Sequence, residues 1–345
     1  MLREGETVVM VSEREVTEPV DLCDGRHLAS AARGWARRPL IRANLRGAWG
    51  RKKRWDYWCV ITPEVIATVT YADIDYAGLA SCWILDRQRE VQAKADVLRP
   101  FGRGFSLPDQ VCTASVSIDT DALSLSIDET ADATRLSVSA PSSELGAIAI
   151  DVSVDKPIGH ESLNVVIPWS DRKFQFTSKQ NTRAASGTIT AGDTAWAVGA
   201  SEDFAAQDLG RGIWPYSNRW NWASASGRAT DGRLVGLQFG GKWTEGTGHT
   251  ENALCIDGHL TKIHDEVEWD YSWDEPMQPW RIRSDRADVT LTPTFDRYDN
   301  TDLKLIKMEV HQCFGSWSGW VRGDDDTIVN LDGISGFAEE ARNRW

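Results

Sequence analysis

Apolar and polar residues alternate along much of this chain. In the segment TASVSIDTDALSLSIDETADATRLSVSA, residues 113–140, every second residue is apolar through three successive runs. Successive side chains of a strand point to opposite faces, so the apolar residues share one face and serine fills most of the other. The residues of the apolar face are Val116, Ile118, Leu123, Leu125, Ile127, Leu136 and Val138. Polar breaks about every 10 residues separate the runs and are typical of an antiparallel meander.

The same alternation continues in LGAIAIDVSVD and returns in the C-terminal half, for example in RLVGLQFGG and ADVTLTPTFDRY. Helical periodicity is confined to two short segments, LASAARGWARR (residues 28–38) and ISGFAEEARNRW (residues 334–345). The sequence therefore predicts an all-β protein. So many antiparallel strands avoid exposed edges by closing into barrels or by forming strongly curved sheets.

Two blocks of strands flank the segment SDRKFQFTSKQNTRAASGTITAGD, residues 170–193, which we interpret as a turn-rich centre. We therefore expect a boundary near residue 185. The predicted organisation is an N-terminal extension (1–25), a first β-barrel-like domain (26–185) and a second β-barrel-like domain (186–345).

Bulk composition limits the classes of function. The chain has 345 residues and a net charge of −13, which argues against nucleic acid as a partner of the whole molecule. No apolar run approaches the ~18 residues of a membrane span. The N-terminus lacks the basic start and apolar core of a secretion signal, so we expect a cytoplasmic protein. The six cysteines form no CxxC pair and are expected to be buried thiols.

Charge is distributed unevenly along the chain. Between Arg26 and Arg54 there are ten Lys or Arg residues and no Asp or Glu. Large apolar residues, including Trp35, Ile41 and Trp49, interrupt this basic segment. An anion-binding tail has no need of that apolar surface, so we favour cations that pair with carboxylates elsewhere in the fold over cations that bind an external anion.

Tryptophan is unusually frequent, with 17 residues against 6 tyrosines. Indole faces can line a pocket for an apolar or sugar-like ligand, and a buried indole N–H needs a hydrogen-bond acceptor. Most of these tryptophans are expected to fill the core, because cores contain aromatic residues more often than pockets do.

The sequence contains no HExxH, P-loop, GxSxG or helix-opening GxGxxG motif, so candidate chemistry rests on weaker patterns. In NRWNWA, residues 218–223, strand alternation places Trp220 and Trp222 on one face and Arg219 and Asn221 on the other. Such a strand suits a pocket wall, although core packing with a structural ion pair explains it slightly better.

Two carboxylate–histidine pairs have the spacing that puts both groups on one face of a strand. His249 and Glu251 form the first pair, and Glu309 and His311 form the second. A carboxylate beside an imidazole can act as a general acid or base, or can be an ion pair at a strand end. We predict these four as catalytic residues around one cavity, whose ligand-binding residues are Arg219, Trp220, Asn221, Trp222, Trp243 and Asn252. No cofactor is expected, and no histidine spacing supports a metal site.

Several strings together resemble a known family. LCDGRHLASAARGWARRPL, NLRGAWGRKKRWDYWCV, NRWNWASASG, GLQFGGKWTEGTGHTENALCIDG, EVHQCFGSWSGWV and GFAEEARNRW resemble the bacterial family called Domain of Unknown Function 2804, from about residue 20 to Trp345. More remotely, the chain is similar to the AttH and carotenoid 1,2-hydratase group. That likeness implies two lipocalin-like (calycin-like) barrels and an apolar pocket near the cleft between them, but it assigns no catalytic residue.

Three hypotheses for function follow. The first is a cofactor-free acid/base enzyme, a hydratase, isomerase or cyclase, that acts on an isoprenoid- or lipid-like molecule in a dry pocket. The second is a lipid or metabolite carrier without chemistry. The third is a carbohydrate-active protein. An enzyme needs a titratable group with a shifted pKa in the pocket, a carrier needs an apolar cavity, and a sugar-cleaving site needs two opposed carboxylates in an open groove.

Overall fold

The structure is a computed structural model that describes residues 13–302, 304 and 306–345. In chain order, the first of its elements are β1 (Val20–Asp21), β2 (Cys23–Asp24), β3 (His27–Leu28), the 3-10 helix η1 (Ser30–Ala32), β4 (Trp35–Ala36), β5 (Ile41–Arg42), β6 (Lys52–Ile61), β7 (Val65–Asp73), β8 (Ala77–Asp86), β9 (Val91–Pro100), β10 (Val116–Asp119), β11 (Ser124–Glu129), β12 (Ala133–Ala140) and β13 (Ile148–Asp155).

The remaining elements are β14 (Leu163–Pro168), β15 (Phe174–Ala191), β16 (Thr194–Val198), β17 (Phe204–Ile213), β18 (Ser217–Arg228), β19 (Leu234–Gly241), β20 (Asn252–Ile256), β21 (His259–Ile263), β22 (Glu268–Asp270), β23 (Trp280–Arg283), β24 (Ala287–Asp302), β25 (Lys307–Arg322) and β26 (Ile328–Arg344).

Almost all of these strands belong to two large antiparallel sheets. The first sheet has 13 strands, with β15, β17 and β6 at its centre. The second sheet has nine strands in the order β21-β20-β19-β18-β26-β25-β24-β23-β22. Both sheets curl around an apolar core. The prediction of an all-β protein built from two strongly curved, packed antiparallel sheets is confirmed.

The alternating segments form strands whose apolar residues lie on one face, as predicted. Leu125 pairs with Val138, and Ile127 pairs with Leu136, between β11 and β12. These side chains are buried in the core of the first sheet, while the intervening serines lie on the opposite face. The period of two therefore identified the core face correctly, because one slipped residue would have reversed every side chain.

Both helical predictions are wrong. Within residues 28–38 only the single turn η1 is helical, and residues 334–344 belong to the 17-residue strand β26. That strand lies between β18 and β25 and hydrogen-bonds to both along most of its length. Hydrogen bonds along both edges stabilise the extended backbone. This stabilisation exceeds the local helical propensity of GFAEEARNR.

The interpretation of residues 170–193 as a turn-rich centre is also wrong. β15 runs through this segment for 18 residues, with a register shift between Gln180 and Arg183. At that bulge the Asn181 side chain donates to the carbonyl of Leu237 at 2.9 Å, so polar residues that resembled a turn connect the two sheets. The change from the first sheet to the second falls between Ile213 and Ser217. The domain boundary near residue 185 stays a prediction.

Two apolar clusters join the sheets. One combines Trp83 and Ile66 of the first sheet with Trp222, Phe314 and Phe337 of the second. The other is centred on Trp214, in the short connection between β17 and β18. Because β15 and β17 pack directly against β18 and β19, polar side chains on these four strands are sealed between the sheets.

The basic segment forms internal ion pairs, as its composition predicts. The carboxylate partners are supplied from outside the segment: Arg37 pairs with Glu161 and Glu15, Arg42 with Asp21, Lys52 with Asp75, and Arg54 with Asp73. Lys53 is different, because its buried ammonium lies 4.2 Å from the ring centre of Tyr76 and has no carboxylate partner among the described residues.

Five of the six cysteines are buried and Cys112 is half-buried, all as free thiols. In the part of the chain that the structure describes, no helix has the length and apolar character needed to cross a membrane.

Candidate functional site

Strand β18 separates two groups of polar residues. Its residues Ala223 and Ala225 face the core of the second sheet, so Arg219 and Asn221 lie on that concave side. Trp220 and Trp222 lie on the outer side and contribute to the clusters between the sheets. The predicted alternation of NRWNWA is therefore present, but it divides the predicted site residues between two places.

The first place is a buried charge cluster between the sheets, formed by Lys179, Asp208, Glu251 and Glu339. The Lys179 ammonium lies 3.1 Å from Asp208 Oδ1 and 3.2 Å from Glu251 Oε1. It also lies 3.9 Å from the ring centre of Trp222. Burial alone would lower the pKa of Lys179, but the two carboxylates outweigh it and raise that pKa.

Each carboxylate of the buried charge cluster accepts an indole N–H from a different tryptophan. Trp55 donates to Asp208 at 3.0 Å, Trp243 to Glu251 at 3.2 Å and Trp220 to Glu339 at 2.8 Å. One lysine cannot balance three ionised carboxylates in a dry interface. Burial accordingly raises the pKa of Glu251 to about 7 and that of Glu339 to about 7.

The donors belong to a tryptophan cluster around Trp214. Its ring stacks on Trp243 with centroids 5.9 Å apart and an interplanar angle of 7°. Four further rings contact Trp214 edge to face at 5.0–5.8 Å, those of Trp55, Trp169, Trp220 and Trp345. Most tryptophans of this cluster thus serve packing between the sheets, as expected of the composition.

The second place is an open pocket of about 440 Å³ on the concave side of the second sheet. We call it the barrel pocket. Its walls combine aromatic rings with ionisable groups and are formed by Asn221, Gly241, Lys242, Glu245, Glu266, Val267, Trp269, Tyr271, Trp273, Glu340 and Arg342. This volume suits a small organic molecule.

Glu340 is the centre of the polar network in the barrel pocket. It accepts hydrogen bonds from Arg342 Nε at 2.7 Å, from Arg219 Nη2 at 3.2 Å and from the Tyr271 hydroxyl, and its Oε2 lies 2.7 Å from the Lys242 ammonium. Burial by itself would raise the pKa of Glu340, but these donors outweigh it and lower that pKa to about 2. Glu340 is therefore a permanently ionised anchor at neutral pH.

Tyr271 holds a fixed position in the same network. Its ring stacks on buried Trp280 with centroids 4.0 Å apart and an interplanar angle of 6°. Its hydroxyl accepts from Asn221 Nδ2 at 2.9 Å and from Lys242 Nζ at 2.5 Å. Burial raises the pKa of Tyr271 and lowers that of Lys242, so the phenol stays protonated and the amine is made more acidic.

Glu266 lies apart from that network. The residue is exposed, and its Oε2 accepts from Thr244 Oγ1 at 3.2 Å. Partial desolvation together with the nearby charge of Glu245 raises its pKa. Glu266 thus meets the condition set above for an enzyme, a carboxylate with a shifted pKa in the pocket.

The predicted pair of His249 and Glu251 does not form. Glu251 turns into the buried charge cluster, whereas His249 Nδ1 contacts the backbone carbonyl of Thr247 at 3.2 Å. Both residues precede β20, which begins at Asn252, so the rule that i and i+2 share a face does not apply. Asn252 is buried, where its amide donates to the carbonyl of Asp265 and accepts from Gly240 N–H.

Glu309 and His311 do lie in one strand, β25, but each has its own partner. Glu309 pairs with Lys307 and accepts from the Tyr298 hydroxyl at 3.0 Å. His311 Nδ1 lies 2.7 Å from Asp296 Oδ2, and its ring contacts Trp273 at 4.5 Å. His311 therefore borders the barrel pocket through Trp273. The catalytic roles of these residues stay predictions.

Sequence reasoning missed Lys179, Asp208, Tyr271, Glu266 and Glu340. Lys179 lies in FTSKQN and Asp208 lies in the middle of FAAQDLGRG, where strands of the first sheet face the second. No local pattern reveals that face. Glu340 was overlooked because its segment resembled a helix. Among the described residues, no group of three or more His, Cys, Asp or Glu side chains is arranged to hold a metal ion.

Comparison with known proteins identifies the family. Residues 13–345 match the model of the family described as Domain of unknown function (DUF2804), and the chain belongs to that family. The sequence resemblance to this family is thereby confirmed. No curated protein matches the chain.

Three solved structures are similar to this chain at low identity. An AttH-like protein from Nitrosomonas europaea has a TM-score of 0.49 and 13% identity over 84% of this chain and 92% of its own. Kievitone hydratase from Nectria haematococca has a TM-score of 0.45 and 10% identity, over 85% of this chain and 88% of its own. CghA with Sch210972 has a TM-score of 0.44 and 11% identity, over 85% of this chain and 88% of its own.

Proposed function

We propose that this protein is a cofactor-free acid/base enzyme, a hydratase, isomerase or cyclase, acting on a small, largely apolar molecule held in the barrel pocket. The observation that carries the proposal is the combination, in one open pocket, of aromatic walls with a carboxylate, Glu266, whose pKa is raised by partial desolvation and by the charge of Glu245. Raising the pKa of a carboxylic acid toward the working pH favours both proton donation and proton uptake, which these three reactions require.

The network around Glu340 supplies the complementary chemistry. Tyr271 and Lys242 form a short hydrogen-bonded chain toward Glu340, and Glu340 holds both groups in place. The Lys242 ammonium keeps a third N–H, and a fixed donor of this kind stabilises negative charge that develops on a substrate oxygen. We assign Glu266 as the proton-transferring group and Lys242 as the oxygen-binding group, which Tyr271 positions. The indole and phenol faces of Trp269, Trp273 and Tyr271 would hold an isoprenoid- or lipid-like substrate.

The buried charge cluster has a different role in this proposal. Its carboxylates are sealed between the sheets and bound to indole donors, so they stabilise the arrangement of the two sheets. We therefore place the chemistry in the barrel pocket and not at Glu251.

An isotope experiment tests the reaction class without a known substrate. The purified protein is incubated with a lipid-soluble bacterial extract in D₂O or in H₂¹⁸O, and mass spectrometry identifies every compound that gains label. A hydratase introduces ¹⁸O, and an isomerase or a proton-transferring cyclase introduces deuterium. Glu266→Gln, which keeps the shape and removes the acid, should reduce the incorporation at least ~100-fold. Glu64→Gln, an exposed site in the first sheet, is the matched control.

Label that enters equally with and without Glu266 would contradict the assignment of the proton donor. Binding without label would favour the carrier hypothesis, which the polar lining of the pocket disfavours.

A carbohydrate-active protein is the second candidate, because the open pocket places Glu245, Glu266 and Glu340 beside tryptophan faces. Sugar binding uses such faces together with hydrogen-bonding carboxylates. Release of reducing ends from an oligosaccharide panel, lost in Glu266→Gln, would support this candidate over the first.

A further inference from the structure

We propose that the ligand of the barrel pocket carries an anionic group, a carboxylate or a group of the same charge, which binds beside Glu340 to Arg219 and Arg342. This inference concerns the substrate class and rests on the proposed use of the barrel pocket for a small molecule.

Positive charge exceeds negative charge around Glu340. Three cations, Arg219, Lys242 and Arg342, lie within 3.2 Å of the single carboxylate of Glu340. Among the described residues none of the three has another carboxylate within ion-pair distance. One negative charge can balance only one of them, and like charges at this spacing repel each other. A second anion at this wall would therefore be bound favourably.

Arg219 and Arg342 have unused hydrogen-bonding capacity. A guanidinium has five N–H donors. Among the described residues, Arg219 donates to a side chain only from Nη2 and Arg342 only from Nε, in both cases to Glu340. The Arg219 side chain is 55% exposed and that of Arg342 is 36% exposed, so their remaining N–H groups can be reached from solvent. Arginine binds carboxylates with two parallel hydrogen bonds, and both side chains keep donors for this purpose.

One indole donor in the wall of the pocket has no acceptor. Nε1 of Trp269 is buried and has no hydrogen-bond partner among the described residues. It lies over Gly241, where a Cβ atom would come within 2.7 Å of it. A buried N–H without a partner is unfavourable, and an oxygen atom of a ligand would supply the missing acceptor.

The aromatic rings define the rest of the ligand. The Arg342 guanidinium lies 3.6 Å from the ring centre of Trp273, so the cation and the aromatic surface are adjacent. Arg342 lies on β26 and Arg219 on the adjacent β18, whereas Glu245 and Glu266 come from the loops that follow β19 and β21. An amphipathic acid would place its anionic end at the two arginines and its apolar body on the tryptophans.

Calorimetry with a matched pair of probes tests this inference. 1-Naphthaleneacetate and 1-naphthaleneacetamide share one ring system and nearly one shape, but only the first is charged. We expect the acid to bind at least 10-fold more tightly than the amide. Raising the salt concentration from 50 to 500 mM should weaken the binding of the acid and leave the binding of the amide unchanged.

Arg219→Gln and Arg342→Gln should each reduce the affinity of the acid toward that of the amide. The affinity of the amide itself should not change. Arg135→Gln, which removes an exposed arginine of the first sheet, should leave the preference intact. Equal affinities in the wild type, failure of both probes to bind, or a preference that survives both substitutions would each overturn the inference.

The same measurements separate this inference from the proposed function. A preference for the acid without any isotope incorporation would leave the anion site standing and refute the enzyme. Incorporation into neutral compounds, with no preference for the acid, would leave the enzyme standing and refute the anion site.

Discussion

Glu339 and Glu340 are neighbours in β26, yet their carboxyl groups lie on opposite sides of the second sheet. Glu339 accepts from Trp220 and Gln312 in the interface between the sheets. Glu340 lies in the barrel pocket among three cations. Burial raises the pKa of Glu339 to about 7, whereas its donors lower the pKa of Glu340 to about 2. Strand alternation alone thus places two identical side chains in opposite electrostatic environments.

The raised pKa of Glu339 predicts a pH-dependent stability. A carboxyl whose pKa is higher in the folded state contributes fully below its unfolded pKa, and that contribution is lost as the pH rises through the folded value. Between about pH 4.5 and pH 7 we therefore expect the free energy of unfolding to fall in the wild type relative to Glu339→Gln, by about 3 kcal/mol at most. Urea denaturation followed by tryptophan fluorescence measures this difference.

The opposite sign is expected for Glu340. Its partners lower its pKa, so the ionised carboxylate of Glu340 contributes stability above about pH 4.5. This contribution is lost as the pH falls toward 2. Glu64→Gln, at an exposed site, is the control for Glu339→Gln and should follow the wild type. A difference between wild type and Glu339→Gln that does not vary with pH would show that this carboxyl ionises normally.

Removal of the central lysine of the buried charge cluster should be costly. Lys179→Met leaves Asp208 and Glu251 without their common cation in an interface closed to water. Breaking a buried ion pair from one side typically costs about 3–5 kcal/mol. We expect a loss of this size in urea denaturation. Lys173→Met removes an exposed lysine near the start of the same strand and should change the free energy of unfolding by less than ~0.5 kcal/mol.

A small loss in Lys179→Met would mean that the carboxylates take up protons in place of the ammonium. In that case the loss should grow with pH, which the same denaturation series at pH 5 and pH 8 would reveal.

Sequence reasoning identified the β class, the alternation of β18 and the ion pairing of the basic segment, because these depend on local patterns. It placed Glu251 beside His249, whereas the cation that pairs with Glu251 is distant in sequence: Lys179 reaches it from β15, and Trp243 donates to it from the loop after β19. It missed Glu340 because the Ala, Glu and Arg residues of β26 favour a helix locally. The extended form of β26 is determined by its hydrogen bonds to β18 and β25, and these strands lie outside any local sequence window.

The ion pairs of the basic segment give a prediction for binding. Arg37, Arg42, Lys52 and Arg54 have carboxylate partners within the fold, and the whole chain has a net charge of −13. We expect no retention on heparin or on double-stranded DNA at 50 mM salt. Retention that weakens steeply as salt increases would contradict this expectation, because it would show that phosphate or sulfate groups replace the internal partners.

Trp214 should be the residue on which the association of the two sheets depends most. It lies between β17 and β18, contacts five other tryptophan rings and donates from Nε1 to Gln175 at 2.7 Å. Trp214→Ala should cost about 3–5 kcal/mol of unfolding free energy. Limited proteolysis should then cut in the connection to β18. Trp49→Ala, at a side chain that is 68% exposed, should cost less than ~0.5 kcal/mol.

Tyr271→Phe separates the chemistry of the barrel pocket from its packing. The substitution keeps the ring that stacks on Trp280 and removes the hydroxyl that links Lys242 and Asn221 to Glu340. We expect isotope incorporation to fall about 100-fold, because Lys242 loses the hydroxyl that positions it to bind the substrate oxygen. The free energy of unfolding should fall by only about 1–2 kcal/mol, because Glu340 keeps its three cationic partners.

Tyr57→Phe is the matched control for that substitution. Its hydroxyl accepts from Gln312 Nε2 at 3.2 Å between the sheets, outside the walls of the barrel pocket. We expect a comparable loss of stability and unchanged incorporation. If Tyr271→Phe and Tyr57→Phe lowered incorporation equally, the effect would follow stability and not the pocket. If neither lowered it, Tyr271 would be only a support for Glu340, and Lys242 would bind the substrate oxygen without being positioned by its hydroxyl.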